Sequence, residues 1–516
     1  PQHFSFSNTK IMASEELTPI QEFYKDATVF ITGGTGFMGK ILVEKLLRSC
    51  PEVRKIILLV RQKKGQNAHD RLASIFNDVI FDKIDEKSRL KVFVVDGDCS
   101  KPDLRLSETD RQSLEQEVNI VFHAAATVRF NEELGLAVAI NVLGTKAMID
   151  LAKDMQHLKA FVHVSTAYSN CHLNEIKETF YPTHIVPEDI INIVTSLDTP
   201  CLEHLSPYLL RNVPNSYVYT KSIAEDYIRA NSKGLPLAVF RPSIIISTKA
   251  EPIPGWIDNV YGPTGVVVGG MTGMLRTIFC DPEALADLVP MDMAVNALIT
   301  TATTIKSGNN NNDQEEEPKI YNFVSSPDKP VKWNRFFKYC EKYLVPSMHA
   351  GWYPQLTMHK HRLAYKLDMI LRQLFPALLI DILARLTFRK TSVLTMMTKI
   401  DNFIEILSFF ATRQWTFHNN NTVAMWESLD PKDKQLFPFN FKDHDWDSYY
   451  KGYMAGARRY LLKEEEKTIK AAKVKHTRQF WLNAVVQGIM GIGVFSLFFN
   501  FAALPLFQLF LKYFTT

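Results

Sequence analysis

The stretch that most constrains the fold is Thr32-Gly33-Gly34-Thr35-Gly36-Phe37-Met38-Gly39, set directly behind the apolar run Ala27-Thr28-Val29-Phe30-Ile31. It predicts a strand ending in a glycine turn that opens a helix from Lys40 to Arg48. Glycines there permit a tight turn, let the backbone approach a pyrophosphate, and let the helix lie close on a sheet. The helix N-terminus stabilises the phosphate charge. A dinucleotide is therefore expected against Thr32, Gly33, Gly34, Thr35, Gly36, Phe37, Met38 and Gly39. A glycine cluster alone is also what an ordinary turn contains; the flanking strand and helix carry the dinucleotide reading.

The runs that follow repeat the pattern. Lys55-Ile56-Ile57-Leu58-Leu59-Val60, Lys91-Val92-Phe93-Val94-Val95, Ile120-Val121-Phe122-His123 and Phe161-Val162-His163-Val164 have strand length and alternate with helical segments. That alternation predicts an α/β fold with a doubly wound parallel sheet of Rossmann type. Ligands of such sheets lie beyond the carboxyl ends of the strands. Asp98 is thereby expected near the adenine and Ala124, Ala125 and Ala126 beneath the cofactor, although small residues also serve tight packing. His123 is equally readable as a satisfied core histidine. After the second strand come Arg61, Lys63 and Lys64, where an acidic residue would select a free ribose hydroxyl and a cation suits a 2′-phosphate. Arg61 and Lys64 therefore point to NADP(H).

The chain is 516 residues long and 46% hydrophobic, enough for two or three domains with a sizeable core. A net charge of +4 gives no indication of a nucleic-acid partner. Six widely spaced cysteines without a Cys-x-x-Cys pair argue for free thiols in a reducing compartment, with no metal site expected. Pro1 to Thr18 lack the apolar core of a signal peptide, so the main body is expected in the cytosol.

The chemistry is expected from the fifth strand end and the helix after it. Ser165 and Thr166 close the strand, and Tyr217 and Lys221 lie four residues apart, on one face of a helix running to Arg229. An ammonium there favours the phenolate, drawing Tyr217 towards acid–base work near neutral pH.

The glycine string, Ser165-Thr166 and Tyr217-x-x-x-Lys221 together resemble the extended short-chain dehydrogenase/reductase superfamily. Longer strings are similar to one branch of it, the alcohol-forming fatty acyl-CoA reductases: His123 to Glu132, Val162 to Tyr168, Pro254 to Asn259 and Ala286 to Asp292. The resemblance runs from about Phe23 to the end. It implies NADPH-dependent reduction of a long-chain fatty acyl-CoA to a primary alcohol through an aldehyde, with no acyl-enzyme cysteine. It also implies catalytic roles for Thr166 (or Ser165), Tyr217 and Lys221, cofactor contacts from Tyr217 and Lys221, and a place for Pro242 near substrate and nicotinamide. Two other readings stay open: a membrane-bound dehydrogenase or epimerase acting on a sterol or sugar nucleotide, and a silent binding protein on the same fold. Fold analogy does not choose among them.

The expected organisation is a flexible tail over 1–20, a reductase domain over 21–345 with a low-complexity loop at 306–318, and a mainly helical C-terminal domain over 346–465. In that domain Leu367, Ile370, Leu371, Leu374, Leu378 and Leu379 suit one helix face, interrupted by Pro376. That face could line an acyl tunnel, lie on a membrane, or pack against the reductase core. A basic segment, 466–478, then leads into a membrane anchor over 479–511, whose tract Phe480 to Phe499 has the length of a transmembrane span. Positive flanks predict a catalytic body facing the cytosol, at endoplasmic reticulum or peroxisome. The run Phe501 to Leu511 could extend the first helix, re-enter or lie at the interface. Oligomeric state is not legible.

Overall fold

A computed structural model describes residues 16–62, 65–305, 317–387 and 392–511 apart from 507, 509 and 510. Lys63, Lys64 and the low-complexity core 306–316 lie outside the described residues, as does most of the N-terminal tail. The chain divides into two units, and neither is one continuous stretch. The first comprises 1–253, 287–330 and 415–444; the second comprises 254–286, 331–414 and 445–516.

The first unit is built on seven parallel strands: β1 (Thr28–Thr32), β2 (Lys55–Val60), β3 (Val92–Asp96), β4 (Ile120–His123), β5 (Ala160–Val164), β6 (Leu237–Pro242) and β7 (Lys319–Phe323). Their order across the sheet is β7-β6-β5-β4-β1-β2-β3. Strand β1 is buried along its whole length, which accounts for its unbroken apolar run, because helices cover both faces of such a sheet. Register sets Phe30 beside Val121 and Val121 beside Phe161. These side chains join Val239 and Ile320 in one core with Leu114, Met148, Leu151 and Tyr227. The order reverses between β1 and β4, and the crevice at that switch point is where such sheets take ligands.

Two helices matter for the site. Helix α1 (Phe37–Ser49) starts at the glycine turn. Helix α2 (Leu134–Asp154) follows β4 and holds a π-turn over Ala139–Leu143. Among the described residues α2 is the one helix long and apolar enough to cross a membrane, and 56% of its apolar window is buried. Asn141 and Thr145, both buried, bond across it to Thr220 and His123 within the unit. Its apolarity thus serves the core.

The second unit is mainly helical, with one short parallel pair, Thr277–Phe279 against Thr357–His359. Its core is aromatic: Trp333, Phe336, Tyr450 and Tyr453 meet at ring separations of 5.4 to 6.4 Å. Gly255 and Gly456 allow backbones to touch, since a Cβ on Gly456 would fall 1.7 Å from the Gly255 carbonyl oxygen. Pro376 does not end a helix. A π-turn over Ile370–Leu374 precedes it, and Pro376 sits in the first turn of the next segment, Phe375–Leu386, where its missing N–H is harmless. Of the predicted apolar face, Leu367, Ile370, Leu371, Leu378 and Leu379 are exposed. The buried face carries Tyr365, Met369, Gln373, Ala377 and Asp381.

The expected C-terminal transmembrane segment requires correction. The span-like helix among the described residues is α2, in mid-chain, not the tract from Phe480. A helix does run from Ile469 to Phe498, but it is pinned to the second unit by polar bonds. Gln479 donates to the Ala350 carbonyl at 2.8 Å, Trp352 Nε1 donates to Asn483 at 2.8 Å, and Gln487 donates to Gln355 at 3.0 Å. Hydropathy averaged over the tract hides this polar seam.

Candidate active site

The glycine turn is built from close approaches. Gly33 has φ +77°, and a Cβ on it would lie 2.7 Å from the Ala125 nitrogen. A Cβ on Gly39 would come within 2.2 Å of the Gly33 carbonyl oxygen, so α1 seats on the turn only without side chains. Gly36 caps α1, leaving the first-turn amides to an anion.

Thr32 ties the turn to β4. Its hydroxyl lies 2.7 Å from His123 Nδ1 and accepts from the Ala125 amide at 3.2 Å. On the other side of the ring Nε2 lies 3.1 Å from Thr145 Oγ1, which itself donates to the Asn141 carbonyl. The pattern assigns a neutral ring with the proton on Nε2. Burial lowers the His123 pKa to about 3, so it is a satisfied core histidine. Ala124, Ala125 and Ala126 are half-buried at the strand end, which leaves one side of them open.

Arg61 is exposed just past β2. Arg71, which sequence reasoning missed, reaches back from the next helix to the turn. It donates to the Thr35 hydroxyl at 2.8 Å and to the Arg61 carbonyl at 2.6 Å. Asp98 sits half-buried beyond β3, its carboxylate accepting from the backbone and hydroxyl of Ser100, both at 2.9 Å.

The Ser-Thr strand end and the tyrosine helix come together. Helix α3 (Ser216–Asn231) is capped by Asn215, whose side chain accepts from the Val218 amide at 2.9 Å. The cap fixes Tyr217 in the first turn and Lys221 one turn on. Thr166 sits close enough to the Tyr217 phenol to oppose the rise in its pKa, and its oxygen accepts from the Tyr168 amide at 3.2 Å. Ser165 is turned away: its hydroxyl donates to Glu225 at 2.5 Å. Lys221 is buried and donates to the Val164 carbonyl at 2.6 Å. Ala167 donates to the carbonyl of Pro242 at 3.0 Å, which sets the end of β6 beside the Ser-Thr corner.

The Tyr217 phenol departs from expectation. Burial raises its pKa to about 12, Thr166 opposes this, and Glu225 adds to the rise. Burial also lowers Lys221 to about 8, offset by the Glu225 charge. The site thus presents a neutral phenol able to donate a proton and, near neutral pH, a charged lysine.

Two further residues were not legible as site elements. Asn141, in the π-turn of α2, accepts from the Thr127 amide at 3.0 Å and donates to Thr220 on α3 at 2.9 Å, tying the loop after β4 to the tyrosine helix. A π-turn often marks a functional position, but it shows only in the backbone. Trp415 returns from far along the chain to meet Tyr168 edge to face, ring centres 5.2 Å apart, and donates to the Cys171 carbonyl at 3.0 Å.

A seven-stranded parallel sheet, a glycine turn at its switch point and a Thr-Tyr-Lys set beyond its strand ends define a nucleotide-dependent oxidoreductase of the short-chain dehydrogenase/reductase class. Sequence profiles of the male sterility protein family match residues 31–298 and 372–464. The chain is 39% identical over 469 residues to fatty acyl-CoA reductase wat of Drosophila melanogaster, covering 89% of each. It is 35% identical to human fatty acyl-CoA reductase 1, again with 89% of each covered. The chain belongs to the fatty acyl-CoA reductase family. Among solved structures it is similar to the terminal R domain of the myxalamid pathway (TM-score 0.57, 20% identity, 85% of this chain and 92% of that one). It is also similar to the reductase domain of a Mycobacterium tuberculosis non-ribosomal peptide synthetase (TM-score 0.56, 18% identity, 86% and 93%). At those identities the likeness is one of fold.

Proposed function

We propose that the enzyme reduces a long-chain fatty acyl-CoA to the primary alcohol and free CoA through a bound aldehyde, with NADPH as reductant. The observation that carries the reading is the convergence of Thr166, Tyr217 and Lys221 at the end of β5, where Lys221 donates to the Val164 carbonyl at 2.6 Å and Thr166 acts on the Tyr217 phenol. The donor set fits the cofactor. The first-turn amides behind Gly36 and the turn Thr32 to Gly39 would hold the pyrophosphate, Asp98 and the alanines 124–126 would flank the nucleotide, and Lys221 would bond the nicotinamide ribose. Arg61 and Arg71, both cationic beside the turn, favour a 2′-phosphate; Lys64 is proposed to add to them, and Pro242 to border the nicotinamide side.

When bound, NADPH supplies one hydride to each of two reductions. Tyr217 donates a hydrogen bond and then its proton to the substrate oxygen as negative charge develops there, and Thr166 supports the phenol oxygen. The first reduction gives a hemithioacetal, whose C–S bond breaks to release CoA thiol and leave the aldehyde; the second gives the alcohol. The exposed apolar side chains Leu367, Ile370, Leu371 and Phe375 support contact with a lipid surface, at an intracellular membrane (endoplasmic reticulum or peroxisome) with the catalytic body in the cytosol. The test is purified enzyme with a ladder of acyl-CoA lengths and NADPH or NADH. Two NADPH consumed per long-chain alcohol formed is the expected result; recycling of a bound cofactor without net consumption would overturn it.

A further inference from the structure

Behind the Ser-Thr corner lies a buried ion pair that the chemistry above does not use. Glu225 and Arg241 have side chains 2% and 0% exposed. Glu225 accepts from Arg241 at both oxygens, at 2.9 and 2.6 Å, and one of those oxygens also takes the Ser165 hydroxyl. Arg241 also donates to the carbonyls of Lys177 and Thr179, at 3.1 and 3.0 Å. The carboxylate is held by Arg241 and Ser165, and it sits one helical turn beyond Lys221 on α3. A buried ion pair is rarely favoured over well-packed apolar residues on stability grounds alone, so its presence asks for another reason.

We propose that Glu225, clamped by Arg241, is the positioning residue of this site: it withdraws Ser165 so that Thr166 is the hydroxyl meeting Tyr217, and it supplies the counter-charge to the Lys221 ammonium. The surroundings of Lys221 single Glu225 out. From β4 and β5 it faces His123 and His163, whose pKa values burial holds well below neutral, so both rings are uncharged. From the loop after β3 it faces Cys99, whose thiol burial pushes up to about 12. Glu225, four residues on from Lys221 along α3, is the carboxylate that acts on it. It also opposes the burial that lowers Lys221 to about 8.

The inference rests on the catalytic reading above, and the experiment separates the two. The pH profile of kcat/KM is measured for the wild type, Glu225→Gln, Glu225→Asp and the double variant Glu225→Gln/Arg241→Gln, together with NADPH affinity and thermal midpoint. In the wild type the basic limb is expected near pH 8, where Lys221 loses its proton. Without the carboxylate's charge the lysine deprotonates more readily, so the limb moves down by about one pH unit in both Gln variants and returns in Glu225→Asp. The double variant removes the Arg241 charge together with that of its partner, leaving Lys221 as the buried cation of the site, and decides the matter if the single variant does not fold. A basic limb that stays put in folded Gln variants, with loss confined to thermal stability, overturns the proposal and leaves the pair a structural tie. Tyr217→Phe checks the parent reading separately: if it is inactive while binding NADPH, an unmoved limb counts against Glu225 alone, whereas an active Tyr217→Phe removes the catalytic reading itself.

Discussion

Arg71 and Thr35 are joined by a 2.8 Å hydrogen bond from guanidinium to hydroxyl, which brings a second cation to the glycine turn beside Arg61. Burial lowers the Arg71 pKa, and the Arg61 charge beside it lowers it further. An anion placed between them relieves that repulsion. Arg71→Ala is therefore expected to raise the KM for NADPH by about tenfold, the worth of one charge-assisted bond, and to leave the weaker use of NADH nearly unchanged. Steady-state kinetics with both cofactors at saturating acyl-CoA checks this; equal losses with NADPH and NADH would assign Arg71 to holding the turn rather than reading the phosphate.

Ser165 and Thr166 are neighbours in sequence with divergent partners, Glu225 for one and Tyr217 for the other. Thr166→Val keeps the shape and removes the hydroxyl, and is expected to lower kcat by about 100-fold with little change in NADPH affinity. Ser165→Ala is expected to cost a smaller factor, about tenfold or less, because its hydroxyl serves the carboxylate behind the site. Single-turnover measurements on both variants decide; a larger loss from Ser165→Ala would reverse the assignment.

The parts of this site legible in the sequence are those carried by local pattern. The strand, turn and helix around Gly33 to Gly39 show because apolar run, glycine spacing and helix follow within twenty-odd residues of chain, and Tyr217 and Lys221 show because a helix puts them on one face. Glu225–Arg241, Trp415 against Tyr168, and Asn141 with Thr220 are contacts between residues 16, 247 and 79 positions apart in numbering, and no local period encodes them. An average misled once: the apolar C-terminal tract is held by Asn483 and Gln487. The helical face of Leu367, Ile370, Leu371, Leu378 and Leu379 is the exposed one, which disfavours only its packing against the reductase core. In both places a few polar side chains with specific partners, Asp381 and Asn483 among them, decide which face is inside.

Gly39 offers a sharp test of the turn. A methyl group there would sit 2.2 Å from the Gly33 carbonyl oxygen and 2.5 Å from the Gly34 Cα, both backbone atoms that cannot rotate aside. Gly39→Ala must push α1 off the turn, at an expected cost of about 2–4 kcal/mol. The first-turn amides then no longer converge, so NADPH binding measured by fluorescence titration is expected to fall below detection. Gly65→Ala is the control for a glycine outside the turn: no atom lies within 4 Å of its would-be Cβ, and only its positive φ of +78° opposes the change.

His123 and His163 face each other on β4 and β5, ring centres 5.3 Å apart, both buried and both neutral. Burial holds His123 at about 3 and His163 well below its ordinary value, against about 6.5 in an unfolded chain. The unfolded state therefore binds more protons between pH 3 and 6.5, and stability rises with pH through that window. It is fully present above 6.5 and lost as the pH falls, by about 1.4 kcal/mol per unit for each ring. His123 has hydrogen-bonded partners on both nitrogens, whereas neither ring nitrogen of His163 has one among the described residues. Replacing His163 by Phe removes a buried polar ring without opening a cavity. The urea midpoint of His163→Phe at pH 7 is expected to match or exceed that of the wild type, and its fall between pH 7 and pH 5 to be less steep by the share of one ring. An unchanged slope would mean that His163 does not remain neutral in the folded chain.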